Sequence, residues 1–211
     1  DTSDGAVFTL VRGLWRSASV NVMKLVGTRP IRTDRLVLRQ WSVDDAQQMY
    51  DNWASDTEVT RFVTWPPHPH VNATRSLLTG WVQGYDDPAS FNWAIWLDDV
   101  IIGQTAVVHW EPQVELAEVG YCFGARWWNH GYATETLKAV MAYLFDVVGV
   151  NKVEASHDPA NIASGKVMDK AGMVTEGLRR ACLVGAQGPR DALYHGLLRS
   201  EWRGQQRARS S

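Results

Sequence analysis

Between Glu115 and Val148 the apolar residues change from a two-residue period to a 3.6-residue period. The pattern predicts a strand over Glu115–Phe123, and from Ala133 onward the apolar positions fall on one face of a helix. Lys152–Ser156 then returns to a short strand pattern. A strand, a helix and a strand in this order require a right-handed crossover and a parallel pair. Ligands of such sheets bind at the carboxyl ends of the strands, which here means the junction after Phe123.

The remainder of the chain shows the same alternation of strand and helix signals. Further strands are predicted at Arg35–Trp41, Phe91–Leu97, Ile101–Trp110, Val174–Arg180 and Asp191–Leu198. Further helices are predicted from Ser42 to about Trp53, at Val71–Gly84 and at Ile162–Ala171. The resulting order, β-α-α-β-β-β-α-β-α-β-β, predicts an α/β fold with helices on both faces of a central mixed sheet.

A chain of 211 residues fits one domain with short extensions. We expect the domain to span residues 29–202, preceded by an extension over residues 1–28 and followed by a basic, frayed tail over residues 203–211. No apolar run reaches the ~20 residues of a membrane helix. Arg12 and Arg16 interrupt the apolar start, so a signal peptide is not expected. Cys122 and Cys182 stand alone, which is typical of a reducing, cytoplasmic compartment and not of a disulfide framework.

Charge and motifs exclude several function classes. A formal net charge of −2 argues against a nucleic-acid-binding domain, which normally carries a basic excess. His68 and His70 have a His-x-His spacing, but no third ligand accompanies them, so we expect no metal. The chain has no Gly-x-Ser-x-Gly elbow, which argues against a serine hydrolase.

The junction after Phe123 is the strongest candidate for a ligand site. A helix start near Tyr132 offers unpaired N–H groups and the positive end of the helix dipole, which together suit a phosphate or pyrophosphate. Gly131 would let the backbone approach an anion closely, and Thr134 and His130 could donate further hydrogen bonds. The spacing alone is equally compatible with a strand-to-helix turn that binds nothing.

At this point the sequence resembles a known family. The segment WNHGYATE is similar to the pyrophosphate loop of the GNAT acetyltransferases, in their RimJ/RimL-like branch. The family pattern falls on Trp128, Asn129, His130, Gly131, Tyr132 and Ala133, with Trp128 in place of Gln/Arg and Asn129 where many members have glycine. TDRLVLRQW resembles the family's first strand, AEVGYCF its fourth, and DPANIASGKVMDKAGM its second cofactor motif. The resemblance covers about Arg29–Trp202 and its motifs occur in the family's order.

The resemblance implies a fold and a cofactor. Acetyl-CoA would be the co-substrate, and the family's fourth strand would splay from the fifth so that its backbone near Tyr121, Cys122 and Phe123 pairs with the pantetheine arm. Gly120 in the interior of that strand agrees with a bulge or a close approach. Asn161, Ser164 and Lys170 match positions of the second cofactor motif.

The resemblance also implies catalytic roles. Ser164 would be the general acid for the coenzyme A sulfur, because the tyrosine that most families have four residues later is here Met168. Asn161 would bond the pantetheine or hold the loop. On the residues alone, both side chains could instead cap or pack the short helix.

The general base is less clearly indicated. Some relatives carry a glutamate where this chain has Leu183, so Glu118 is the remaining candidate, although a strand-face carboxylate paired with a cation is equally consistent. A chain-terminal amine has a pKa of ~7.8 against ~10.4 for lysine, so it needs less help from a base. This favours a protein N-terminal α-amine or another amine of low pKa as acceptor.

The acceptor pocket is predicted to include Trp65 and His68 of the proline-rich loop, and Tyr194 of the last strand. The predicted function is therefore an acetyl-CoA-dependent N-acetyltransferase that acts on a protein N-terminus or a small-molecule amine. A non-catalytic acyl-CoA sensor of the same fold is the alternative. We expect no nucleic acid and no membrane as partner, and whether the chain forms a homodimer stays open.

Overall fold

The computed structural model describes residues 23–185 and 188–210, and most of the predicted 1–28 extension lies outside them. The last residues of this extension contact the domain directly. The Lys24 N–H donates to the Val148 carbonyl at 2.8 Å and the Gly27 N–H donates to the Pro88 carbonyl at 2.8 Å. The Tyr143 hydroxyl donates to the Gly27 carbonyl at 2.8 Å. This part of the predicted extension is therefore joined to the domain.

The described residues form one eight-stranded sheet in the order β1-β2-β3-β4-β5-β6-β8-β7. The strands are β1 (Ile31–Arg32), β2 (Val37–Arg39), β3 (Asn92–Leu97), β4 (Val100–Glu111), β5 (Leu116–Phe123), β6 (Lys152–His157), β7 (Val174–Gly185) and β8 (Gly188–Leu198). Strands β5 and β6 pair in parallel and the other neighbours are antiparallel. The predicted mixed sheet and its parallel pair are confirmed.

Helices cover both faces of the sheet, as predicted. They are α1 (Ala46–Met49), α2 (Thr57–Thr60), α3 (Val71–Gln83), α4 (Tyr132–Ala142), α5 (Ile162–Ala171) and α6 (Arg199–Ser210). Wider π-type turns over Tyr50–Ala54 and Tyr143–Val148 extend α1 and α4. The predicted cap of the first helix is present as a capping box. The Ser42 hydroxyl accepts a backbone N–H of the first helical turn, and the Asp45 carboxylate accepts the Ser42 N–H. Among the described residues, no helix is long and apolar enough to cross a membrane.

Two hydrophobic clusters lie on opposite sides of the sheet. One joins α4, its extension and α5 to the sheet, and includes Leu137, Val140 and Met168. The other joins α1 and α3 to the sheet, and includes Trp53, Leu78 and Cys122. Because successive strand residues point to opposite faces, β5 contributes Val119 to the first cluster and Cys122 to the second.

The parallel pair at the centre of the sheet is short. Strand β5 pairs with β6 only from Leu116 to Glu118, opposite Lys152 to Glu154. From Val119 to Phe123, β5 remains paired with β4 on its other side. The sheet therefore opens between β5 and β6, next to the start of α4, which is the splay that the family resemblance implied.

The last two strands are longer than predicted, since β7 continues to Gly185 and β8 begins at Gly188, and three further predictions need correction. The strand predicted over Arg35–Trp41 is limited to β2, because Thr33 and Leu36 close a turn at 3.0 Å and the Trp41 N–H donates to the Tyr85 hydroxyl at 2.9 Å. Helix α2 was not predicted, although Asp56 caps it by accepting the Glu58 N–H.

The third correction concerns the frayed tail predicted over residues 203–211, because residues 203–210 belong to helix α6. Trp202 is 5% exposed and stacks on Phe145 with ring centroids 5.6 Å apart. The Gln205 amide donates to the Gly172 carbonyl at 2.9 Å. A buried aromatic anchor and a hydrogen bond one turn later hold the helix against the domain.

Candidate active site

The junction between β5 and α4 presents a series of unpaired backbone N–H groups. Within the described residues, the N–H groups from Asn129 to Thr134 have no hydrogen-bond acceptor, and no side chain caps α4. Gly131 has φ 81° and Asn129 has φ 63°, both in the left-handed region. Asparagine tolerates this conformation better than most residues, which explains how it stands where many GNAT members have glycine. The geometry suits a bound diphosphate.

The loop is held from outside by Arg35, in the turn before β2. Its guanidinium donates to the His130 carbonyl at 3.1 Å and forms an ion pair with Glu135 at 2.6 Å. The Thr33 hydroxyl donates to the same carboxylate at 2.5 Å. Burial raises the pKa of Glu135, but the hydrogen bonds from Thr33 and Arg35 outweigh it and hold that pKa below its usual value. The anchors occupy carbonyl and carboxylate oxygens, so the loop amides stay available.

Aromatic rings form the rest of the loop. The His130 and Tyr132 rings stack with centroids 5.7 Å apart, and the Arg35 guanidinium lies 4.4 Å from the Tyr132 centroid. The His130 ring is bonded to the Trp128 carbonyl at 2.7 Å through Nδ1. The Trp128 indole donates to the Phe123 carbonyl at 2.8 Å, which ties the loop to the end of β5. These contacts order the loop before any ligand is bound.

Replacing Arg35 by glutamine is expected to lower coenzyme A affinity by about five- to tenfold, because it removes a charge and several charge-assisted hydrogen bonds. Isothermal titration calorimetry with coenzyme A measures the change. Arg39→Gln is the matched control, because Arg39 pairs with Asp45 at 3.2 Å away from the loop. An Arg35 variant that binds as tightly as the wild type would show that the loop does not need this anchor.

The edge of β5 that faces the splay carries the residues predicted to meet the pantetheine arm. From Val119 onward this edge has no strand partner in the described part of the chain. The Phe123 carbonyl is already occupied by Trp128, so the Phe123 N–H and the backbone groups of Tyr121 remain for a ligand, whereas those of Cys122 face Gln104 of β4. Gly120 is a place of close approach, since a Cβ there would lie 3.0 Å from Val108 at a bulge of β4.

The second predicted motif lies across the splay on α5. Asn161 accepts the Ser164 N–H at 3.2 Å and so caps the helix, which is the local role left open by the sequence. The Ser164 hydroxyl lies 2.9 Å from the Tyr121 hydroxyl of β5. Met168 is 1% exposed and belongs to the core. Lys170 is exposed in the last turn of α5, so its predicted cofactor contact stays a prediction.

Glu118 lies on the opposite face of β5 from Tyr121, on the side of α1 and α3. Its carboxylate accepts a hydrogen bond from the Ser156 hydroxyl of β6 at 2.9 Å. Ser156 is in register with Tyr194 of β8. Burial, followed by the charge of Glu118, raises the pKa of Tyr194. The sequence predicted Glu118 and Tyr194 separately. Ser156, which lies between them, was not predicted, because the alternating pattern of KVEASH indicates only a strand.

The proline-rich loop lies over the same face. Trp65 packs against the α1–α3 cluster, with its ring centroid 5.3 Å from that of His68. The His68 ring bonds the Thr74 hydroxyl at 2.7 Å, and burial lowers the pKa of His68. His70 instead accepts the Ala73 N–H and caps α3. In residues 23–185 and 188–210, no group of three potential metal ligands comes together.

The hairpin β7–β8 borders the face where the acceptor pocket is predicted. The Arg190 guanidinium donates to the Arg61 carbonyl at 2.7 Å and approaches the Asp158 carboxylate at 3.4 Å. One side chain thus links β8 to the turn after α2 and to the loop before α5. Arg179 of β7 lies 4.7 Å from the Tyr194 ring centroid. The hairpin therefore places two cations beside the predicted acceptor pocket.

A helix start with unpaired N–H groups beside an opened parallel pair is an arrangement that suits a nucleotide-linked ligand. Residues 35–174 match the family described as Acetyltransferase (GNAT) domain, and the chain belongs to this family. It is an N-acetyltransferase, as predicted.

Known proteins of the family resemble the chain over most of their length. It is 27% identical over 172 residues to the uncharacterized N-acetyltransferase YnaD of Bacillus subtilis strain 168, covering 82% of this chain and 98% of YnaD. RimJ of Mycobacterium smegmatis, in complex with CoA-disulfide, shares the fold with a TM-score of 0.71 and 22% identity, over 82% of this chain and 87% of RimJ. Microcin C7 self immunity acetyltransferase MccE, in complex with acetyl-CoA and AMP, has a TM-score of 0.73 at 14% identity, covering 79% and 93%.

Proposed function

We propose that this N-acetyltransferase transfers an acetyl group directly from acetyl-CoA to a primary amine, either a protein N-terminal α-amine or a small-molecule amine. One observation carries the proposal: the unpaired N–H groups from Asn129 to Thr134 lie at the mouth of the splay between β5 and β6. A diphosphate bound there would direct the rest of a nucleotide thioester along the free edge of β5. The complexes of MccE and RimJ with acetyl-CoA and CoA-disulfide support this choice of donor.

The residues present fit such a donor. The loop amides and the positive end of the α4 dipole suit a diphosphate, and among the described residues no side chain caps the start of α4. The unpaired edge of β5 offers backbone donors and acceptors to the amide groups of a pantetheine arm. When bound, acetyl-CoA supplies an acyl group activated as a thioester.

Direct transfer agrees with the state of Cys122, which lies in the same strand. Burial raises the pKa of its thiol to about 12, so the thiolate that would be needed for an acyl-enzyme is not formed at neutral pH. The reaction forms a C–N bond and breaks the C–S bond. In the proposal Glu118 receives the proton that leaves the amine, through a water, and Ser164 donates a hydrogen bond to the departing sulfur.

The preference for an α-amine follows from the limited base. Glu118 is half-buried and already accepts a hydrogen bond from Ser156. A terminal amine with a pKa of ~7.8 is partly neutral at pH 7, whereas the deprotonation of a lysine amine at ~10.4 costs about 3.5 kcal/mol more. We place the chain in the RimJ/RimL-like branch, which the motif WNHGYATE and the likeness to RimJ support.

An acceptor screen tests the function. The protein is incubated with acetyl-CoA and a panel of N-terminal peptides, small amines and aminoglycosides, and free thiol is measured. Thiol release that depends on the amine, and is faster with peptide α-amines than with their Nα-blocked lysine-containing counterparts, is the expected result. Coenzyme A binding without amine-dependent release in any arm would instead identify a non-catalytic acyl-CoA sensor.

Glu118→Gln is expected to lower kcat by about tenfold at pH 7, because a carboxamide cannot take a proton. The loss should shrink as pH rises and more of the amine is neutral without help. Steady-state rates between pH 6.5 and 9 measure this, with Glu111→Gln as a control on the neighbouring strand. A constant ratio of wild-type to variant rates across this range would remove Glu118 from the role of base.

A further inference from the structure

A pair of side chains connects the free part of β5 to α5. Tyr121 lies in β5 beyond Glu118, the last residue that pairs with β6, and its hydroxyl reaches Ser164 on α5. The distance to the Ser164 Oγ is 2.9 Å and to the Ser164 carbonyl 3.2 Å. The two residues are 43 positions apart in the chain. The contact lies beyond the end of the β5–β6 ladder, so the pairing of these two strands does not account for it.

We propose, on the basis of the proposed function, that Tyr121 is a positioning residue that holds the Ser164 hydroxyl and satisfies its oxygen while Ser164 donates to the sulfur of the leaving thiol. A serine hydroxyl has one proton and can accept two further hydrogen bonds. When its proton turns to the sulfur, the oxygen needs a donor. The Tyr121 O–H is within reach to become that donor.

The environment of Tyr121 supports a donor that remains neutral. Burial raises its pKa to about 12, and the hydrogen bond with Ser164 only partly opposes this. A phenol that keeps its proton can orient Ser164 throughout the reaction without being consumed. The Tyr121 phenol thus contacts α5 at Ser164, whereas Met168, one turn later, is buried in the core.

The ring of Tyr121 also packs against the cluster under α4 and α5. Tyr121→Phe therefore retains the packing and removes the hydroxyl alone. With the best amine from the acceptor screen, we expect kcat to fall about fivefold and the KM for acetyl-CoA to change less than about twofold. Tyr143→Phe is the matched control, since the Tyr143 hydroxyl also makes one backbone hydrogen bond, at 2.8 Å, but away from the site.

A double-mutant cycle decides whether Tyr121 acts through Ser164. If it does, Tyr121→Phe should change kcat by less than about 1.5-fold in the Ser164→Ala background. Equal losses in both backgrounds, an unchanged kcat in the single variant, or a loss confined to KM would each overturn the assignment while leaving the acetyltransferase function intact. A wild-type protein that releases no thiol with any amine would instead overturn the proposed function and this inference with it.

Discussion

Gly131→Glu is expected to abolish the increase in Tm that coenzyme A gives to the wild-type protein. With coenzyme A at 100 times its Kd, ligand linkage adds ~2.7 kcal/mol of stability, which is about 5–10 °C for a chain of this size. The substitution places a carboxylate among the amides that we assign to the diphosphate, so the variant should shift by less than about 1 °C. Differential scanning fluorimetry with and without coenzyme A measures both.

The variant should still fold, so a lost response to coenzyme A would report on binding and not on misfolding. A Cβ at Gly131 meets only the Arg35 guanidinium, at 3.5 Å, an ordinary contact. The positive φ adds strain of about 1 kcal/mol for a residue with a side chain. Gly131→Asn is the matched control, because asparagine tolerates this conformation and carries no charge. It should keep part of the shift. A Gly131→Glu protein that responds to coenzyme A like the wild type would refute the anion loop.

Ser164→Ala should lower kcat by about 100-fold and change the KM for acetyl-CoA less than about twofold. The loss falls on kcat because the hydroxyl is needed when the sulfur gains negative charge, not when the donor binds. The helix should be unaffected, since its cap runs from the Asn161 side chain to the Ser164 backbone N–H, which alanine retains.

Steady-state kinetics with varied acetyl-CoA and a saturating amine separate the two constants. Ser76→Ala, on the exposed surface of α3, controls for loss of a helix serine elsewhere. A Ser164 variant with wild-type turnover would show that Ser164 only packs against its neighbours, and that another group acts as the general acid. The two variants together test the two ends of the proposed donor site independently.

The unpaired N–H groups at the start of α4 were predictable because their signals are local. A strand period, a glycine and an amphipathic helix follow one another within a few residues, and a helix start always leaves N–H groups unpaired. The same locality explains why the α5 boundaries were predicted correctly, with Asn161 as cap and Gly172 at the end in the left-handed region. It also explains why residues 203–210 were not predicted as helix. Helix α6 is held by the packing of Trp202 on Phe145, a contact between residues far apart in the chain.

The amino-acid order thus determines which segments become strands and helices, where the parallel crossover falls and where free amides gather, since all of these depend on neighbours along the chain. Which side chains meet was decided by packing across the sheet. Arg35 reaches Glu135 over 100 positions, and Tyr121 reaches Ser164 over 43. The first contact depends on how α4 packs beside the turn before β2, and the second on how far β5 and β6 diverge; no period in the sequence encodes these distances.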